Sequence, residues 1–215
     1  MQGSCHPKNQ DSYWAGEVPG GWVVVLSDGI GSCEYSEVGS SALCNVVRDL
    51  AGTTGCLIDN PQGFVKKVEE CWLANVLRQS YERKDCHATA LFAILGEERT
   101  YLFRLGDGVL GAVIASNPIV MFDAKEYSYS NITDCIGIGA VSWEIREAAT
   151  KDVECIFICS DGVSDDTDES NLAELVMGFC DEYRRMKKEE IESDLSRWIP
   201  ALKSKDDKTV VFLFA

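Results

Sequence analysis

The chain has 215 residues, enough for one domain (1–215) with a sizeable core, and its 46% apolar and 26% charged residues are the balance of an ordinary globular protein. A formal net charge of -15 turns most of the surface against nucleic acid and anionic membrane, so neither is expected as a partner. No apolar stretch is long enough to span a bilayer, and the polar opening Met1–Asp11 carries no secretory signal.

In chain order, Trp22–Ser27 is the first strand candidate: a β-branched and aromatic run that ends at Asp-Gly. Val38, Ala42, Val46 and Leu50 then share one face of a helix, and Phe64, Val68, Cys71, Trp72, Val76 and Leu77 mark a longer second one. A run of strand candidates follows at Ala88–Leu95, Tyr101–Leu105, Val109–Ala115, Ile119–Phe122, Ser142–Ala148 and Cys155–Ser160. Leu172, Leu175, Val176, Phe179 and Tyr183 mark a third helix, with Asp168 or Ser170 as its N-cap. Ile191, Leu195, Trp198 and Leu202 mark a fourth, and Thr209–Phe214 is the last strand.

Helices therefore come in pairs, early and late, with strands between them. That order predicts an α+β fold with mainly antiparallel sheets rather than strand–helix alternation. Cys155–Ser160 is apolar on both faces and needs cover on both, which a two-sheet sandwich between helical layers supplies. Trp14, Trp22, Trp72, Trp143 and Trp198 are expected in the core or in partly buried packing, and Arg184–Lys188 as a solvated helix end. The ten cysteines are scattered, mostly in apolar runs and without a CxxC pair, so free buried thiols in a reducing cytoplasm are expected.

Three apolar runs end alike, at Ser27-Asp28-Gly29, Gly106-Asp107-Gly108 and Ser160-Asp161-Gly162, and Asp206-Asp207 stands just before Val210–Phe214. Singly, each Asp-Gly reads as a turn, because both residues tolerate positive φ. Asp107-Gly108 fits that reading best, with Val109–Ala115 as its return strand. As a set, strand ends drawn from distant parts of the chain can gather carboxylates at one sheet edge. Clustered carboxylates repel one another, and hard oxygen donors suit Mg²⁺ or Mn²⁺. With only His6 and His87 available, a His-based zinc site is not expected.

The ordered motifs Asn9-Gln10-Asp11, Ser27-Asp28-Gly29-Ile30-Gly31, His87-Ala88-Thr89, Gly106-Asp107-Gly108, Ser160-Asp161-Gly162-Val163-Ser164-Asp165 and Asp206-Asp207-Lys208-Thr209-Val210-Val211 resemble those of the metal-dependent protein phosphatases of the 2C type. The helix start Ser36-Glu37-Val38-Gly39-Ser40 also resembles the family. The resemblance runs from about Asn9 to the C-terminus; each motif is weak alone, and six in order are fairly specific.

It implies a four-layer sandwich, two mainly antiparallel sheets flanked by pairs of antiparallel helices, with two Mn²⁺ or Mg²⁺ ions at one end. Asp28 would bridge both ions, with the Gly29 carbonyl on one, and Asp161 and Asp206 would complete the other. Gln10 and Asp11 would act through coordinated water, and Asp107 with Asp161 would form a weaker third position. The implied activity is hydrolysis of phosphoserine or phosphothreonine on proteins by a metal-activated water, opposite a serine/threonine kinase, in a monomer. The cysteines form no Cys-x5-Arg loop, which argues against a cysteine phosphatase.

Three features depart from the family. His6 stands where an arginine usually clamps phosphate, and an imidazole lacks the guanidinium fork; His6 either binds phosphate or donates a proton as imidazolium, or only packs near the N-terminus. Asp207 replaces the usual Asn, and acts behind the metal ligands or as a turn residue. The flap after Asp107 has room only at Lys125–Asn131. Loss of the arginine allows a non-catalytic phosphoprotein-binding module, and a short flap allows a hydrolase of small phosphate compounds. His87 occupies a position commonly held by Gly, and no chemistry is assigned to it.

Overall fold

A computed structural model describes residues 1–122, 134–139 and 141–215. The expected flap, Lys125–Asn131, lies outside the described residues. The elements are β1 (Ser12–Val18), β2 (Gly21–Ser27), α1 (Ser36–Thr54), α2 (Pro61–Arg78), β3 (Ala90–Leu95), β4 (Arg99–Leu105), β5 (Val109–Ile114), β6 (Asn117–Phe122), β7 (Glu144–Ala149), β8 (Val153–Cys159), α3 (Asp161–Ser164), α4 (Leu172–Tyr183), α5 (Lys188–Trp198) and β9 (Val210–Phe214). They form two antiparallel sheets, ordered β1-β2-β3-β4-β7 and β6-β5-β8-β9.

Three apolar layers hold the sandwich together. Leu43 and Val47 of α1 and Trp72 of α2 pack on Phe92 and Phe103 of the first sheet. Between the sheets, Leu26, Leu91 and Leu102 meet Leu110 and Ile158. Outside the second sheet, Val176 and Cys180 of α4 cover Cys155 and Phe157. Burying one such large side chain contributes roughly 1.5–3 kcal/mol. The α+β four-layer expectation holds, as does the expectation for β8, whose central residues are buried on both faces.

The structure corrects several local expectations. β5 is not the return strand of β4; it pairs with β6 and β8 in the second sheet. Its nearly complete burial requires an interior position, and the edge of β4 is taken by β7. The chain crosses between sheets at Gly106-Asp107-Gly108, where φ of +100° and +83° at the two glycines make the bend. β1 went unpredicted because neither of its alternating rows, Ser12-Trp14-Gly16-Val18 or Tyr13-Ala15-Glu17, is uniformly apolar.

Neither Asp168 nor Ser170 caps the third helix through its side chain; a 3₁₀ turn at Glu169–Asn171 precedes it. The fourth helix stops at Trp198 and passes into a 3₁₀ turn at Ile199–Ala201, where Pro200 cannot continue the α-helical ladder. Trp22 is exposed rather than packed, since Gly21 and Trp22 open the strand at its solvent end. Seven of the ten free cysteines are buried, while Cys5 is exposed and Cys33 and Cys71 are partly so. No helix among the described residues is long and apolar enough to cross a membrane.

Candidate functional site

Strand register determines where the aspartates gather. In the first sheet Leu26 stands opposite Leu91, and Ala90 opposite Leu105, so the end of β2, the start of β3 and the end of β4 coincide. In the second sheet Cys159 stands opposite both Val109 and Val210, which brings together the end of β8 and the starts of β5 and β9. Asp28, Thr89, Asp107, Asp161 and Asp206 flank these ends, and all belong to one end of the sandwich.

Each Ser-Asp-Gly uses its serine as a buried lock. Ser27 Oγ donates to the Thr89 carbonyl (2.6 Å), while Thr89 holds the Asp28 backbone from both sides: its Oγ1 accepts from Asp28 N (2.9 Å) and its N–H donates to Asp28 O (2.7 Å). Ser160 Oγ donates to Asp11 Oδ2 (2.9 Å) and accepts from Thr209 N (3.0 Å), tying the first motif to the last. The glycines serve close approach, not positive φ. A Cβ on Gly29 would lie 2.7 Å from Ser36 Cβ, and one on Gly162 would lie 2.0 Å from the Asp207 carbonyl. The turn reading of these two Asp-Gly steps is therefore replaced by packing of one backbone on another.

Asp11, Asp28, Asp107, Asp161 and Asp206 are all partly buried. Burial, reinforced by the charges of Asp11 and Asp161, holds the Asp28 carboxyl well above the usual carboxylate range. Burial and the neighbouring Asp107 push Asp161 up to about 7, partly opposed by its hydrogen bond to Asp28. Burial also raises Asp11, against hydrogen bonds from Thr209, Ser160 and Asp28. Asp28 thus stands between Asp11 and Asp161, close enough for each to shift its carboxyl. Asp206 Oδ1 accepts from Asp207 N at 2.8 Å.

A cavity of about 200 Å³ opens beside Asp107 and Asp161, lined also by Asp165, Asp168 and Glu169. A second, of about 210 Å³ between Glu69, Trp72, Arg83 and Gly137, contains none of these aspartates. His87 packs against Gly137 and Trp72, where burial lowers its pKa, and it stays outside the aspartate group.

Among the described residues, no three His, Cys, Asp or Glu side chains already close round one point as a metal would require. The donors nevertheless fit a hard divalent cation. Asp11 Oδ1 and Asp161 Oδ1 are buried without a hydrogen-bond partner, and burial beside neighbouring carboxylates raises Asp28 and Asp161, a cost that a cation would remove. Histidine and cysteine contribute nothing to this group, so the donors are oxygens alone.

The N-terminal motif reaches the same end. Gln10 is buried, and its carbonyl accepts from Gly29 N (3.2 Å) and Ser40 Oγ (2.6 Å). The His6 imidazole covers Gly31, where an added Cβ would lie 2.7 Å from Nε2 and 3.7 Å from Gln10 Oε1. Every residue singled out from the motifs, His6, Gln10, Asp11, Asp28, Gly29, Asp107, Asp161 and Asp206, therefore belongs to this end. The roles of the Ser27, Ser40, Thr89 and Ser160 hydroxyls were missed, although all four residues stand within the quoted motifs and Ser repeats before Asp-Gly.

The chain belongs to the protein phosphatase 2C family, whose model matches residues 6–200. Its fold is similar to that of a bacterial serine phosphatase (TM-score 0.74, 15% identity, 99% of this chain and 94% of that one). It is also similar to the serine/threonine phosphatase Stp1 of Staphylococcus aureus (0.74, 14%, 100% and 92%). A third likeness is to the catalytic domain of the serine threonine protein phosphatase PstP in complex with 2 manganese ions (0.64, 18%, 99% and 94%). A search of curated proteins finds no match.

Proposed function

We propose that this protein removes phosphate from phosphoserine or phosphothreonine on proteins, using Mn²⁺ or Mg²⁺, and so opposes a serine/threonine kinase. One observation carries the reading: at the end of the sandwich where the six motifs meet, aspartates are buried against one another and leave two carboxylate oxygens without partners. Membership of the protein phosphatase 2C family supports it, as does the manganese complex of a structural relative.

Asp28, the Gly29 carbonyl, Asp161 and Asp206 would hold two ions, Asp107 with Asp161 a weaker third, and Gln10 and Asp11 would act through water. Bound there, the ions supply Lewis acidity towards water and positive charge for the phosphoryl oxygens. The chain's own residues do the rest. Thr89 and Ser27 fix the Asp28 backbone, so that its carboxyl keeps one aim. A cation held there would offset the burial and the neighbouring charges that raise the Asp28 carboxyl. His6, set over Gly31, donates from its imidazole to a phosphoryl oxygen in place of the arginine fork.

Hydrolysis of a chromogenic phosphate ester and of a phosphothreonine peptide, with Mn²⁺ and with chelator, tests the proposal. Metal-dependent turnover of the peptide supports it. Ester turnover without peptide turnover points to small phosphate compounds as substrates. Metal binding without turnover of either points to a phosphoprotein-binding module.

A further inference from the structure

Asp207 is buried at 3% exposure, and both its carboxylate oxygens are engaged by the N-terminal strap. Oδ1 accepts from Gly3 N at 2.7 Å and Oδ2 from Gln10 N at 2.6 Å, so one side chain closes both ends of the loop that carries His6. Between them, Ser4 N and Cys5 N donate to the Lys205 carbonyl (2.7 and 3.2 Å). Gly3 lies so close to the Asp206–Asp207 turn that an added Cβ would stand 2.3 Å from Lys205 O and 2.4 Å from Asp206 C. Beyond Gln10 the tie continues, because the Gln10 carbonyl accepts from Gly29 N. The Asp206-Asp207 turn of the second sheet is thus bonded through the strap to the Asp28-Gly29 turn of the first.

We propose that Asp207 is a positioning residue: its carboxylate pins Gly3 and Gln10 and thereby sets the His6 imidazole over Gly31, beside Gln10 at the edge of the aspartate site. Both groups it holds are N–H donors. A carboxylate offers each an acceptor, whereas an amide accepts through one oxygen and turns an NH₂ towards the other donor. The kinetic part of this inference rests on the phosphatase reading; the structural part does not.

The test uses Asp207→Asn in the full chain, with histidine side-chain NMR in Mg²⁺, which is diamagnetic, and ester hydrolysis at saturating Mn²⁺. The chain has 2 histidines, and His87, against Gly137 and Trp72, serves as an internal reference. The expected result is that the His6 signals move while those of His87 stay. kcat/KM then falls roughly tenfold, as loss of a hydrogen bond to a charged group allows. His6→Ala also lowers kcat/KM, and adding Asp207→Asn to it causes no further loss, because both act through one imidazole.

Unmoved His6 signals, both histidines moving together, or losses that multiply in the double variant each overturn the proposal. Should Asp207→Asn not fold, Gly3→Ala lifts the same strap from its other side and must move His6 alone; unmoved His6 signals in that variant also overturn it. A wild-type protein without metal-dependent turnover refutes the phosphatase reading, and the NMR comparison still decides the strap.

Discussion

Substituting Asp161 by Asn should stabilise the metal-free protein at neutral pH while removing its response to metal. In the folded chain Asp161 is raised from 3.8 to about 7, chiefly by burial and by Asp107. At about 1.4 kcal/mol per tenfold change in proton affinity, ionising it inside the fold costs roughly 4 kcal/mol. The sign follows from proton counts. Between pH 3.8 and about 7 the unfolded chain has lost this proton and the folded chain keeps it, so stability falls as pH rises through that window and levels off above it. Asp28, raised by burial and by Asp11, adds a fall of the same sign.

Asn is isosteric, carries no charge, and can still accept from Asp28. Urea unfolding in chelator from pH 4 to 8 should therefore show a falling midpoint for wild type and a shallower fall for Asp161→Asn, with the variant the more stable at pH 7.5. With Mn²⁺ the order should reverse, since the cation stabilises only the wild type. A flat wild-type profile in chelator, or a variant no more stable than wild type at pH 7.5, would refute the reasoning.

Thr89→Val keeps the volume but removes the Oγ1 that accepts from Asp28 N; it should cost about 1–3 kcal/mol in urea unfolding and weaken Mn²⁺ binding by calorimetry. Ser160→Ala strands Thr209 N and removes one hydrogen bond from Asp11, with a loss of about 1–3 kcal/mol by the same assay. Gly162→Ala places a Cβ against the Asp207 carbonyl and should destabilise by about 1–3 kcal/mol or more, with metal-dependent turnover lost before the fold is. The shift of the thermal midpoint on adding Mn²⁺ should be larger at pH 7.5 than at pH 5, where protons still compete for Asp28 and Asp161.

Much of the fold was legible locally. The doubly apolar run at Cys155–Cys159 demands an interior strand whatever surrounds it, and of the residues that marked α2, Phe64, Val68, Trp72 and Val76 are buried, while Cys71 is partly so and Leu77 faces solvent. β1 was not legible, because an edge strand with Gly16 and Glu17 in its rows has little apolar alternation to show. The partner of β5 was also hidden: Asp-Gly between two strands looks the same whether the chain turns back or crosses to another sheet. Only the burial of β5 on both faces, a property of the packed sandwich, decides between them.

The site divides in the same way. Residue type and motif order determined that Asp28 and Asp161 would follow apolar strands and Asp206 would precede one, where the adjoining strand limits the chain's freedom and a carboxylate cannot bury itself alone. Tertiary structure decided the remainder, since hydrogen bonds between residues far apart in sequence leave no periodic signal. It buried Asp28 among other carboxylates and so raised its carboxyl, made Thr89 and Ser160 the hydroxyls that hold the set, and gave Asp207 two amides to bind. Each of these depends on two sheets and a strap meeting at one end, a convergence that only the packing of the whole sandwich creates.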